Sequence, residues 1–131
     1  MNLYLDASAL VKRYVAEPGS DTVRDAMDRA GVWFMCRIGF VETVRAVGLS
    51  GADTSTVREE WPAFGVIEVD QRLAEQAAKL AIDRELRSLD ALHLAAALVL
   101  PRDDLFLATW DRRLHTAAGA EGLGLIPETL D

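Results

Sequence analysis

Short apolar runs, each too brief to make a helix, recur along this chain, and a helical pattern separates every one from the next. The runs are residues 2–5, 32–35, 66–69 and 105–108, with a candidate edge strand at 123–126 that Pro127 bars from extending. Helical spacing covers residues 7–15, 21–30, 37–49, 55–64, 71–85, 89–100 and 112–118. The punctuation agrees with these limits. Glu17-Pro18-Gly19 breaks the first helix, Ser20 is placed to cap the second, and Gly31 to close it in the left-handed conformation. Pro62 should distort the fourth helix, while Ser88 caps and Pro101 closes the sixth. Short apolar strands alternating with helices predict an α/β fold, a parallel sheet covered on both faces. The run Val32-Trp33-Phe34-Met35 fits a strand buried on both sides.

A chain of 131 residues, half of them apolar, suits a single domain, residues 1–131, with a sizeable core. No apolar run is long enough for a transmembrane helix, and the N-terminus enters a strand pattern without the features of a secretory signal. The lone Cys36 excludes an internal disulfide and suits a cytoplasmic setting. Two histidines and one cysteine, far apart in sequence, give no zinc spacing. With 14 basic against 21 acidic residues the net charge is −7, which argues against nucleic-acid binding through a globally basic surface. A local basic rim around an acidic pocket remains compatible with that balance.

Two carboxylates stand at similar strand exits, Asp6 after the first strand and Asp111 after the fourth. In a doubly wound sheet those strands are plausible neighbours, and ligands bind outside the carboxyl ends of strands at the switch point. Asp6 has a second reading as the N-cap of the following helix. Glu42 and Asp90 lie in otherwise apolar helical segments, where a charge is costly unless paired or bound to metal. Glu42 has Arg45 at i+3 as a local partner, and Asp90 suits the first turn of its helix. His93, one turn beyond Asp90, reads as a hydrogen-bonded, partly buried histidine or as a partner to the site. His115 is expected to face water, Trp33, Phe34 and Phe106 to pack in the core, and Trp110 to pack or to stack on a base. Val11, Tyr14, Trp61 and Phe64 read as core or as an apolar surface for a partner.

The opening Asp6-x-Ser8, the helical Glu42, the segment Leu89-Asp90-Ala91-Leu92-His93-Leu94-Ala95 and Thr109-x-Asp111 together resemble the PIN-domain ribonucleases, and closely the VapC-like toxins of type II toxin–antitoxin modules. The resemblance spans essentially the whole chain. It implies a three-layer α/β/α architecture with a central parallel sheet of four or five strands. It also implies a Mg²⁺- or Mn²⁺-dependent endoribonuclease with Asp6, Glu42, Asp90 and Asp111 as its acidic metal site. Ser8 and Thr109 match positions that help order that site. An RNA substrate, a homodimer, an antitoxin whose C-terminal segment blocks the site, and products with a 5′-phosphate and a 3′-hydroxyl are implied as well. Cys36 and Gly39 depart from the Ser or Thr that relatives often carry near the glutamate.

The implied chemistry suits these residue types. Mg²⁺ takes hard oxygen ligands and keeps several waters, so a few carboxylates suffice, and paired metals about 3.5–4 Å apart clamp an in-line displacement. On this reading Asp6 anchors the principal metal, Asp90 and Asp111 complete its shell directly or through water, and Glu42 orients a second ion or the attacking water. Two rivals use the same fold class. A phosphoacceptor or phosphatase-type domain also places an Asp beyond a parallel strand, but it needs a lysine at the phosphoryl group, and only Lys12 and Lys79 are present. The other is a catalytically inactive PIN-like binding module.

Overall fold

The computed structural model describes residues 1–130. In chain order the elements are β1 (Asn2–Leu5), α1 (Ala7–Tyr14), α2 (Ser20–Arg29), β2 (Val32–Cys36), α3 (Arg37–Leu49) and α4 (Ser55–Glu60). A 3₁₀ turn (Trp61–Ala63) follows, then β3 (Gly65–Ile67), α5 (Gln71–Asp83), α6 (Ser88–Leu98), β4 (Leu105–Ala108), α7 (Arg112–Ala120) and β5 (Gly124–Ile126). The five strands form one parallel sheet in the order β3-β2-β1-β4-β5. The chain steps one way from β1 to β2 and β3, then returns to β4 on the other side of β1. The topological switch point therefore falls between β1 and β4, where ligands bind in open parallel sheets.

Strand alternation sorts the core into two layers. Tyr4, Leu105 and Leu107 point to one face and pack with Leu73, Ala77, Leu94, Ala95 and Leu114 of α5, α6 and α7. Leu3, Leu5 and Ala108 point to the other and pack with Ala9, Leu10, Val23 and Met27 of α1 and α2. Phe64, after the 3₁₀ turn, joins that second layer. This is the expected α/β/α arrangement, with five strands.

Aspartates make the turns from strand to helix. Asp6, Asp70 and Asp111 each accept a backbone N–H three residues on, from Ala9, Leu73 and Leu114, all at 2.9 Å. Each carboxylate thus satisfies a donor that the first helical turn leaves open. The capping reading of Asp6 is correct, and it does not compete with a place in the site.

Several local expectations are corrected. Gly31 does not take the left-handed conformation; α2 ends at an extended Ala30, and the Gly31 N–H reaches Met1 O at 2.8 Å. The left-handed glycine is Gly19, with φ +94°, at the start of α2. Ser20 is consequently the first helical residue, its hydroxyl donating to Val15 O at 3.1 Å. Arg87, not Ser88, holds the cap position of α6. β2 is buried at its C-terminal end only, since Val32 is 42% exposed. β3 runs from Gly65 to Ile67, one residue early at its start and two short of Val69 at its end; Gly65 pairs with Phe34, whose ring lies 2.7 Å from where a Cβ would be. His115 does not face water; it is buried and donates through Nε2 to Pro127 O at 2.8 Å, fastening α7 to the segment after β5.

The aromatic residues mostly pack. Trp61 stacks on Phe64 and tilts against Phe40, with centroids 5.2 and 4.9 Å apart. Half-buried Trp110 lies against Gly19, under the Lys12 ammonium. No helix among the described residues is long and apolar enough to cross a membrane.

Candidate metal centre at the switch point

Asp6 emerges from the central strand into a buried position, 3% exposed. Its Oδ1 accepts the Ser8 hydroxyl at 2.7 Å as well as the Ala9 N–H. Its Oδ2 accepts the Thr109 hydroxyl at 2.5 Å. Both hydroxyls carry the contact onward, for Ser8 Oγ accepts the Trp110 N–H at 2.9 Å and Thr109 Oγ1 accepts the Asp111 N–H at 3.0 Å. One carboxylate thereby stitches the exit of β1 to the exit of β4. Burial pushes the Asp6 carboxyl above its ordinary value, against the opposing pull of these hydrogen bonds.

Asp90 enters from the first turn of α6 and Asp111 from the cap of α7. Burial, then the charges of Asp111 and Asp6, push the Asp90 carboxyl up. The three aspartates therefore feel one another as like charges in a partly desolvated space. Arg87 lies across the mouth, 3.8 Å from Asp90 and 3.5 Å from Asp111, with its side chain 73% exposed.

Glu42 projects from the second turn of α3 and does not pair with Arg45. Its Oε1 lies 2.6 Å from His93 Nε2, and His93 Nδ1 lies 2.7 Å from the Tyr4 hydroxyl. His93 is 2% exposed, so it is buried rather than partly so. Tyr4, two residues before Asp6, is held well above the ordinary phenol range chiefly by burial, with the charges of Cys36, Asp6 and Glu42 adding to it.

The donor set fits a hard divalent cation in chemical type. It offers carboxylate oxygens, among them those of Asp6, raised in pKa by burial, and of Asp90, raised by burial and by the charges of Asp111 and Asp6, a cost that a cation would relieve. Among the described residues no group of three or more His, Cys, Asp or Glu is arranged to hold an ion by itself. Water and substrate phosphate oxygens would have to complete the shell, as they commonly do for Mg²⁺. Sequence reasoning located the acids but missed Tyr4 as a partner of the site, since nothing local links it to a histidine 89 residues away. It also missed Arg87 as a bridge between Asp90 and Asp111.

Comparison with known proteins identifies the family. The PIN-domain family profile matches residues 3–120. Ribonuclease VapC49 of Mycobacterium tuberculosis is 32% identical, covering 98% of this chain and 97% of the relative, and Ribonuclease VapC46 of the same species is 34% identical over 95% of each. Among solved structures, a toxin–antitoxin complex from Klebsiella pneumoniae superposes with a TM-score of 0.76 at 18% identity, covering 98% of this chain and 99% of that one. VapC20 of M. tuberculosis, a sarcin–ricin loop cleaving toxin, superposes with a TM-score of 0.74 at 15% identity and the same coverage. On the profile match and the near full-length kinship with the VapC ribonucleases, the chain belongs to the PIN-domain family, in its VapC branch.

Proposed function

We propose that this protein is a Mg²⁺- or Mn²⁺-dependent endoribonuclease, the toxin of a toxin–antitoxin pair, acting as a single PIN domain in the cytoplasm. The observation that carries the reading is that Thr109 joins Asp6 to Asp111 at the switch point, while the charges of both aspartates act on Asp90 from a third element. Near full-length kinship with VapC ribonucleases supplies the substrate class, RNA.

Asp6, Asp90, Asp111 and Glu42 would hold the metal, which when bound supplies charge stabilisation on the phosphodiester and an activated water. The chain's own residues have separable tasks. Asp6 is locked by Ser8, Ala9 and Thr109, so its one remaining lone pair, on Oδ2, points in a fixed direction. Asp90 makes no short hydrogen bond and is free to ligate directly or through water. Glu42 keeps its Oε1 on His93 Nε2, which leaves its second oxygen to orient an attacking water or a second ion were one bound. Arg87, exposed and already at the two aspartates, is placed to meet the substrate phosphate.

The phosphatase rival loses its lysine. Lys12 is held by Glu17 at 3.0 Å beside Trp110, and Lys79 is exposed on α5, away from Asp6. An antitoxin covering the site and a homodimer complete the proposal, supported by the toxin–antitoxin complexes among the structural neighbours. The test is incubation of purified, partner-free protein with total RNA and Mg²⁺ or Mn²⁺, mapping new 5′ ends. Discrete, metal-dependent 5′-phosphate ends are expected, and RNA left intact with both metals would refute the reading.

A further inference from the structure

The link from Tyr4 through His93 to Glu42 has a direction that its hydrogen count decides. The buried Tyr4 hydroxyl accepts the Cys36 N–H at 3.0 Å, and the one acceptor within reach of its own proton among the described residues is His93 Nδ1 at 2.7 Å. An Nδ1 that accepts carries no hydrogen, so the ring proton sits on Nε2 and is donated to Glu42 Oε1 at 2.6 Å. Both ring nitrogens are then committed, and neither is free to bind a cation. Glu42 Oε2 has no hydrogen-bond partner among the described residues.

We propose that Tyr4 and His93 are positioning residues that hold the Glu42 carboxylate in one rotamer with Oε2 turned to the cleavage site. The inference rests on the nuclease reading for the task Glu42 performs, but the relay itself is a property of the folded chain. Glu42 stands on α3 and His93 on α6, so the bond also fixes one helix against the other at the site. The backbone N–H of Cys36 begins the relay, which makes the end of β2 a part of it whatever side chain residue 36 carries.

The experiment has two arms on the full chain. In the first, ¹⁵N NMR of the metal-free protein reads the His93 ring: a protonated Nε2 and a bare Nδ1 are expected, with that preference lost in Tyr4→Phe. In the second, steady-state cleavage is measured with Mn²⁺. Tyr4→Phe and His93→Leu should each lower kcat by about 10–100-fold with KM nearly unchanged, the size expected when the partner orienting an active-site ligand is removed. His93→Gln, whose amide N–H can replace Nε2, should recover to within about threefold of the parent protein. In a Glu42→Gln background Tyr4→Phe should cost nothing further, because the two changes act through one contact. A protonated Nδ1 in the parent protein, or an equal loss from Tyr4→Phe with and without Glu42, would overturn the proposal. Should the parent protein cleave no RNA at all, the nuclease reading falls, while the NMR arm still decides the relay.

Discussion

The Thr109 hydroxyl donates to Asp6 at 2.5 Å and accepts the backbone N–H of Asp111 at 3.0 Å, joining two acids that lie at the ends of neighbouring strands. Asp6 is buried and Asp111 partly so, and losing the hydroxyl leaves a carboxylate oxygen and an N–H without a mate. Thr109→Val, which keeps the shape, should lower stability by about 1–3 kcal/mol in urea unfolding. It should also weaken cleavage by about 10–100-fold, while Thr109→Ser retains most of both.

Metal binding should be visible in stability before any RNA is added. An ion that binds only the folded site at 100 times its dissociation constant adds about 2.7 kcal/mol, so Mg²⁺ or Mn²⁺ should raise the melting temperature measured by calorimetry. Asp6→Asn should remove both that shift and the cleavage while the circular dichroism spectrum stays unchanged. A wild-type melting temperature indifferent to millimolar metal would contradict the assignment.

Asp90 gives a pH signature in chelator-treated protein. Burial and the charges of Asp111 and Asp6 raise its folded-state pKa above the ordinary 3.8. Between those two values the folded state binds more protons than the unfolded one, so stability falls as pH rises through the raised pKa. The favourable contribution is complete only below 3.8. Asp90→Asn cannot ionise, so in chelator it should be more stable than the parent at neutral pH, with the advantage vanishing in acid. Added Mn²⁺ should reverse the order.

Gly39 owes its place to Met35. A Cβ on Gly39 would lie 2.6 Å from the Met35 side chain, which is fully buried beneath α3. Gly39→Ala gains about 1 kcal/mol of helix propensity but overpacks the core by about 1–3 kcal/mol, so a net loss of stability is expected. Met35→Ala in the same chain should relieve the clash, which a double-mutant cycle in denaturant would measure.

Much of this was legible in the amino-acid pattern. Short continuous apolar runs set between stretches of helical spacing located the strands and helices, and Asp6 and Asp111 stood out because strand exits are where parallel sheets build sites. Glu42 and Asp90 stood out because charge is unusual in such apolar helices. What stayed hidden depended on partners distant in sequence. His115 reads as a surface residue until Pro127 O is brought to its Nε2. β3 starts at Gly65, which pairs with Phe34, one strand over. Gly19, not Gly31, takes the left-handed turn, where its bare Cα lets Trp110 come close.

β1 lies at the centre of the sheet although it is the first strand made, and its neighbour β4 is among the last. Asp6 and Thr109 meet across 103 residues. Until β4 is docked beside β1, Asp6 lacks the hydroxyl that fixes its Oδ2, so a fragment ending before β4 carries the first acids without the contact that orders them.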